Sequence, residues 1–165
     1  MSVDDSNMQA YIPALRRLYA PLAPYGYAFI RFCAGAIIAR HGYPKLFEGG
    51  VNGLANFLPK LGLEPALAWA WLIGVTEFGG GVLIAIGLLT RFAAAALVIE
   101  FAVIVFVIKF ANGFFAFAPK AIQPGFPGMS AGGFEFEMFL GLVCVAILFR
   151  GGDGLSVDRA IGKEL

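Results

Sequence analysis

Four long apolar stretches run through the chain, at about residues 22–42, 65–89, 91–111 and 133–150. Each approaches the ~20 residues that a helix needs to cross a hydrocarbon core. Helix-breaking residues separate them: Gly42, Pro44, Gly49 and Gly50 after the first, Pro65 before the second, Thr90-Arg91 between the second and third, and a Pro- and Gly-rich loop before the fourth. The pattern predicts an all-α membrane protein, a four-transmembrane-helix bundle. Because the turn Gly87-Leu88-Leu89-Thr90-Arg91 is so short, the second and third helices must be antiparallel neighbours. In the longer 43–64 connection, Val51, Leu54, Ala55 and Leu58 recur at helical spacing, which predicts a short interfacial segment in the first outer loop. Residues 13–20, PALRRLYA, predict a second interfacial helix, and the Phe- and Pro-rich 112–132 loop reads as irregular. The expected division is a cytoplasmic N-terminal segment at 1–21, a membrane domain at 22–150 and a cytoplasmic tail at 151–165.

Charged residues interrupt this pattern. Arg31 lies in the middle of PYGYAFIRFCAGAIIA, and Glu77 and Glu100 lie in the middle of the second and third stretches. Ionisable residues inside membrane helices are costly, face the bundle interior, pair with one another and mark sites. Counted along the helices from one membrane surface, all three fall at roughly 14–18 Å, near the bilayer middle. Gly74, Glu77, Gly81 and Ala85 share one face of the second helix, and Ala28, Arg31, Gly35 and Ile38 share one face of the first. Small residues on a charged face let backbones approach closely. The expectation is that these faces meet and that Arg31 pairs with Glu77. Glu135 and Glu137 begin the fourth stretch at roughly 20–22 Å, nearer the depth of Lys109. Two residues apart on a helix, they point to different sides. One of them pairs with Lys109 or completes the Arg31 cluster, and the other reaches the interface.

Composition narrows the possible chemistry. Hydrophobic residues make up 59% of the chain and charged residues 14%, with mean hydropathy +0.80, which places it outside the soluble class. A net charge of +1 with scattered Lys and Arg gives no footprint for nucleic acid. The opening MSVDDSNMQA has no apolar run, so no cleaved secretory signal is read there. Arg16, Arg17, Arg91, Arg150, Arg159 and Lys163 lie on the side of the termini, against Arg40, Lys45, Lys60 and Lys120 opposite, so both termini are expected in the cytoplasm. Cys33 and Cys144 are too far apart in depth to bridge and form no dithiol motif. The single histidine, His41, cannot supply a two-His haem site. No metal, haem, flavin or nucleotide site is read.

Arg31-Phe-Cys-Ala-Gly35, His41-Gly42, Lys45-Leu46, Glu77 with Gly79-Gly80, Gly87-Leu-Leu-Thr-Arg91, Gly132-Gly133-Phe134-Glu135 and Gly152-Asp-Gly154-Leu-Ser156-Val-Asp158 occur in an order and spacing that resemble the DoxX family of bacterial integral membrane proteins. The resemblance runs from about residue 25 to 160. It implies a four-helix protein of the bacterial inner membrane with a redox association. A DoxD-related branch forms a subunit of thiosulfate:quinone oxidoreductase, and other members belong to membrane complexes that protect against oxidative stress. The family's polar positions fall on Arg31, His41, Lys45, Glu77 and Glu135, whereas Glu100 and Glu137 have no counterpart in that pattern.

Three functions remain open on the sequence. In the first, Arg31, Glu77 and Glu135 line a midplane cavity of a quinone-linked subunit, with His41, Lys45 and Glu100 as further substrate contacts and a partner redox subunit supplying electrons. In the second, the chain is an accessory subunit that docks through Phe-rich faces to other membrane subunits or to a second copy of itself. The third, a small transporter, is disfavoured by the lack of an inverted repeat.

Overall fold

The computed structural model describes residues 11–116 and 132–163, and all their regular secondary structure is helical. Four helices carry the architecture: α2 (Ala23–Phe47), α4 (Ala66–Ile86), α5 (Thr90–Val103) and α6 (Glu135–Arg150). Three shorter ones accompany them: α1 (Pro13–Tyr19), α3 (Gly50–Phe57) and α7 (Val157–Ala160). α5 runs on through a π-helical turn at Ile104–Lys109 and a 3-10 turn at Phe110–Asn112. Most of the expected 112–132 loop lies outside the described residues.

Local sequence explains the boundaries. Prolines stand in the first turns of α1 and α2, where a missing N–H costs nothing. α4 ends at Gly87, whose φ of 73° is the left-handed conformation that closes a helix. α2 does not stop at Gly42 or Pro44 as expected. Gly42 is used for contact, since a Cβ there would lie 2.3 Å from the Phe78 backbone nitrogen. Pro44 lies inside the helix and forgoes the bond to the Arg40 carbonyl, yet three more residues stay helical after it. The extra turn carries Lys45 along the flank of α4.

The most extensive helix contact is between α2 and α4. It depends on glycine: a Cβ at Gly35 would sit 2.5 Å from both Ala85 N and Gly81 O, and one at Gly81 would sit 2.4 Å from Ala39 N. The two small-residue faces therefore meet as expected. α5 packs on α4 and α6, and Ile38, Ile84, Leu97, Phe101, Cys144 and Ile147 fill the centre. Both cysteines are free. α3 is the helix expected in the 43–64 connection; its Val51, with Leu58 beyond it, packs against Ala70 of α4.

Large apolar side chains, among them Phe29, Phe32, Leu72, Ile99, Phe106 and Phe149, point outward. A soluble monomer rarely exposes so much contiguous apolar surface. α4 and the α5 segment Thr90–Asn112 are long and apolar enough to cross a membrane. α2 is diluted by Arg31 and Arg40, and α6 is 16 residues long.

Candidate functional site

The ionisable residues form two separate groups at different levels of the bundle. Arg31 belongs to the level of the α4–α5 turn. It is 2% exposed, and its Nη1 donates to the carbonyls of Ile84 (2.5 Å) and Ala85 (3.2 Å), while Nη2 donates to Leu155 O (2.5 Å). It pairs with neither Glu77 nor Glu135, which corrects the expected cluster. The register of α2 on α4 gives the reason. Gly35 lies against Gly81 and Ala85, so Arg31 faces the end of α4, about ten residues or ~15 Å from Glu77. Cβ atoms tilt toward a helix's N-terminus. On antiparallel helices the Arg31 and Glu77 side chains therefore lean apart.

The segment after α6, expected as a tail, closes around this end. The Asp158 carboxylate accepts from Leu89 N (2.7 Å), Thr90 N (3.0 Å) and Thr90 Oγ1 (2.7 Å), and Asp158 N donates to Gly87 O (2.9 Å). Burial works against its charge, but the N–H and O–H donors of Thr90, the Leu89 N–H and the Arg31 guanidinium hold the carboxyl below its ordinary value. A Cβ at Gly87 would lie 2.5 Å from Arg31 Nη1 and 2.6 Å from Ser156 Cβ, so the turn needs glycine for space as well as for φ. Tyr27 Oη donates to Gly151 O (2.6 Å), and Arg91 Nη1 caps α6 through the Leu148 and Phe149 carbonyls. These bonds go to carbonyls and helix ends, which makes Arg31 a structural clamp.

The second group lies toward the opposite end. Lys45 on α2 forms an ion pair with Oε1 of Glu77 on α4. Glu100 on α5 lies within electrostatic reach of both. Further along, Lys109 in the π-helical turn donates to Glu137 Oε1 at 2.5 Å, one of the pairings expected for this region. The His41 ring packs on Phe136, centroids 5.4 Å apart. Glu135 Oε2 accepts from Ala116 N at 3.2 Å, beside a groove of about 460 Å³ lined by Phe114, Ala116, Glu135, Phe136, Phe139 and Leu142. Arg31, Glu77 and Glu135 do not come together, so they do not line the one cavity expected of them, and the open groove beside Glu135 is a separate feature. Of the layer expected from Arg31, Glu77 and Glu100, the two carboxylates lie near each other with Lys45 while Arg31 does not join them, and Glu135 is bonded to Ala116 at the start of α6. Thr90 and Asp158 occur in the sequence among the residues of the family resemblance, without the structural role that they have here. Their signal was the spacing of two polar residues flanking helix ends, Thr90 opening α5 and Asp158 in the first turn of α7.

The DoxX family model matches residues 26–110, just over half of the chain. The chain belongs to the DoxX family. It is also similar to an uncharacterized membrane protein of Mycobacterium tuberculosis, at 30% identity over 160 residues that cover 92% of this chain and 91% of the relative. No solved structure matches. The DoxX match includes Arg31, His41, Lys45, Glu77 and Glu100, and it stops before Glu135 and the closing segment at 151–163. The protein is a DoxX-family membrane protein.

Proposed function

We propose that this DoxX-family protein crosses the bacterial inner membrane four times with both termini in the cytoplasm and works as the quinone-linked subunit of a redox complex. The observation that carries the reading is the open groove at the start of α6, lined by aromatic and aliphatic side chains and carrying one exposed carboxylate, Glu135. Ligand sites of this size are mostly apolar with a few placed polar groups. Phe139 and Leu142 on its wall are exposed on the outside of the bundle, so a ring carried in the bilayer can enter sideways. A hydroquinone hydroxyl bound there would donate to the Glu135 carboxylate. The hydroquinone forms when two electrons from a partner redox subunit reduce the bound quinone, which takes up two protons, one from the Glu135 carboxyl and one from water on the open side of the groove.

The test is mild purification followed by extraction of bound quinone and titration with a short-chain hydroquinone. Wild type should retain quinone, and Glu135→Gln and Phe139→Ala should each weaken hydroquinone binding by about tenfold or more, a ~1.4 kcal/mol loss. Equal binding in all three proteins would refute the groove. The accessory-subunit reading, favoured by the outward Phe106 and Phe149 rings, predicts co-purifying subunits in wild type and no bound quinone.

A further inference from the structure

The level of Glu77 buries more carboxylate than it neutralises. Gly80 of α4 lies against Leu97 of α5, and a Cβ there would meet Leu97 Cδ1 at 3.2 Å. The helices are antiparallel, so one turn further toward the same end brings α4 to Glu77 and α5 to Glu100. The Glu77 side chain is 6% exposed; Oε1 takes the Lys45 ammonium, and Oε2 has no hydrogen-bond partner. Both oxygens of Glu100 are buried without a partner. The charges acting on Glu100 are those of Glu77, on α4, and Lys45, on α2. On α6, Glu137 is engaged by Lys109, which lies nine residues or ~13 Å along the helix from Glu100. His41 is turned onto Phe136.

Two carboxylates with a single ammonium leave one negative charge uncompensated in an apolar interior, and an isolated buried carboxylate takes up a proton instead of remaining ionised. Like charges sharing a site do the same. We propose that Glu77 and Glu100 hold one proton between them beside the Lys45 ammonium, forming a proton-exchange site inside the bundle. Transfer breaks the O–H bond on Glu100 and forms one on Glu77 Oε2. The electron pair stays on Glu100, which carries the negative charge after the transfer. Lys45 keeps 29% of its side chain exposed, so it connects this site with the surface. The site does not depend on the quinone reading, because a proton is its ligand.

Infrared spectroscopy of the full chain in lipid, with exchange from H2O to D2O, tests this directly. Wild type should show the carbonyl band of a protonated carboxyl that shifts in D2O. Glu100→Gln should lose that band, since Glu77 then pairs fully with Lys45. Lys45→Met leaves both carboxyls without a cation and should add a second band, a result that stands even if Glu100→Gln fails to assemble. Absence of the band in wild type, its survival in Glu100→Gln, or a Lys45→Met spectrum identical to wild type would each overturn the proposal.

Discussion

Replacing Asp158 by alanine removes three hydrogen bonds at once from the start of α5. The donors are Leu89 N, Thr90 N and Thr90 Oγ1, at 2.7, 3.0 and 2.7 Å. A bond to a charged group is worth about 1.5–3 kcal/mol, and losing the acceptor leaves buried N–H groups unpaired. The three share one carboxylate, so their losses do not add fully, and Arg31 also loses a nearby negative charge. The expected cost is about 3–5 kcal/mol. Thr90→Val removes only the hydroxyl bond and should cost about 1–2 kcal/mol, while Asp158→Asn, which keeps one acceptor oxygen, should fall between. Thermal unfolding in one detergent, followed by circular dichroism, orders the three variants. The pH dependence has a fixed sign. Asp158 is held below its ordinary value, so its stabilisation is complete above the unfolded carboxylate value of ~3.9 and is lost as pH falls through the lower folded value. Asp158→Ala should lack this part of the acid sensitivity. An Asp158→Ala protein within ~0.5 kcal/mol of wild type, the range of an ordinary surface change, would refute the clamp.

Two further outcomes follow from the packing and the topology. Gly81→Val forces a side chain against the Ala39 backbone and should lower stability by about 3 kcal/mol or more, whereas Gly53→Ala, with open space around it, should be neutral or mildly stabilising; melting curves of the pair distinguish close approach from a general glycine effect. With the native cysteines replaced, a cysteine at Asn52 should react with an impermeant thiol reagent added outside intact cells and one at Lys163 should not; the opposite pattern would reverse the proposed orientation.

The helices themselves were legible because apolar length and helix-breaking residues are local properties. α4 and α6 fall almost where the pattern predicts, and the meeting of the Gly35 and Gly81 faces follows from small residues at helical spacing. Arg31 departs from its expected partner because spacing along a helix gives the face and not the direction in which a long side chain leans. Two antiparallel helices carry Arg31 and Glu77 away from each other, an effect not contained in their depth along the helices. Lys45 reads as a loop residue from the glycine and proline before it, yet Gly42 serves a helix contact and the helix continues past it. The Asp158 bonds were hidden for a different reason: their partners lie 68 and 69 residues away, and no local pattern encodes that distance.

The bond from Arg31 to the Leu155 carbonyl joins positions 124 residues apart, near opposite ends of the described chain. During synthesis α2 therefore appears long before the carbonyl that completes the coordination of its guanidinium. Until then Arg31 has the last turn of α4 as its partner, and before α4 emerges it has water or lipid headgroups. The first long helix thus cannot reach its final surroundings when it is made, and assembly of this protein is completed from its C-terminal side.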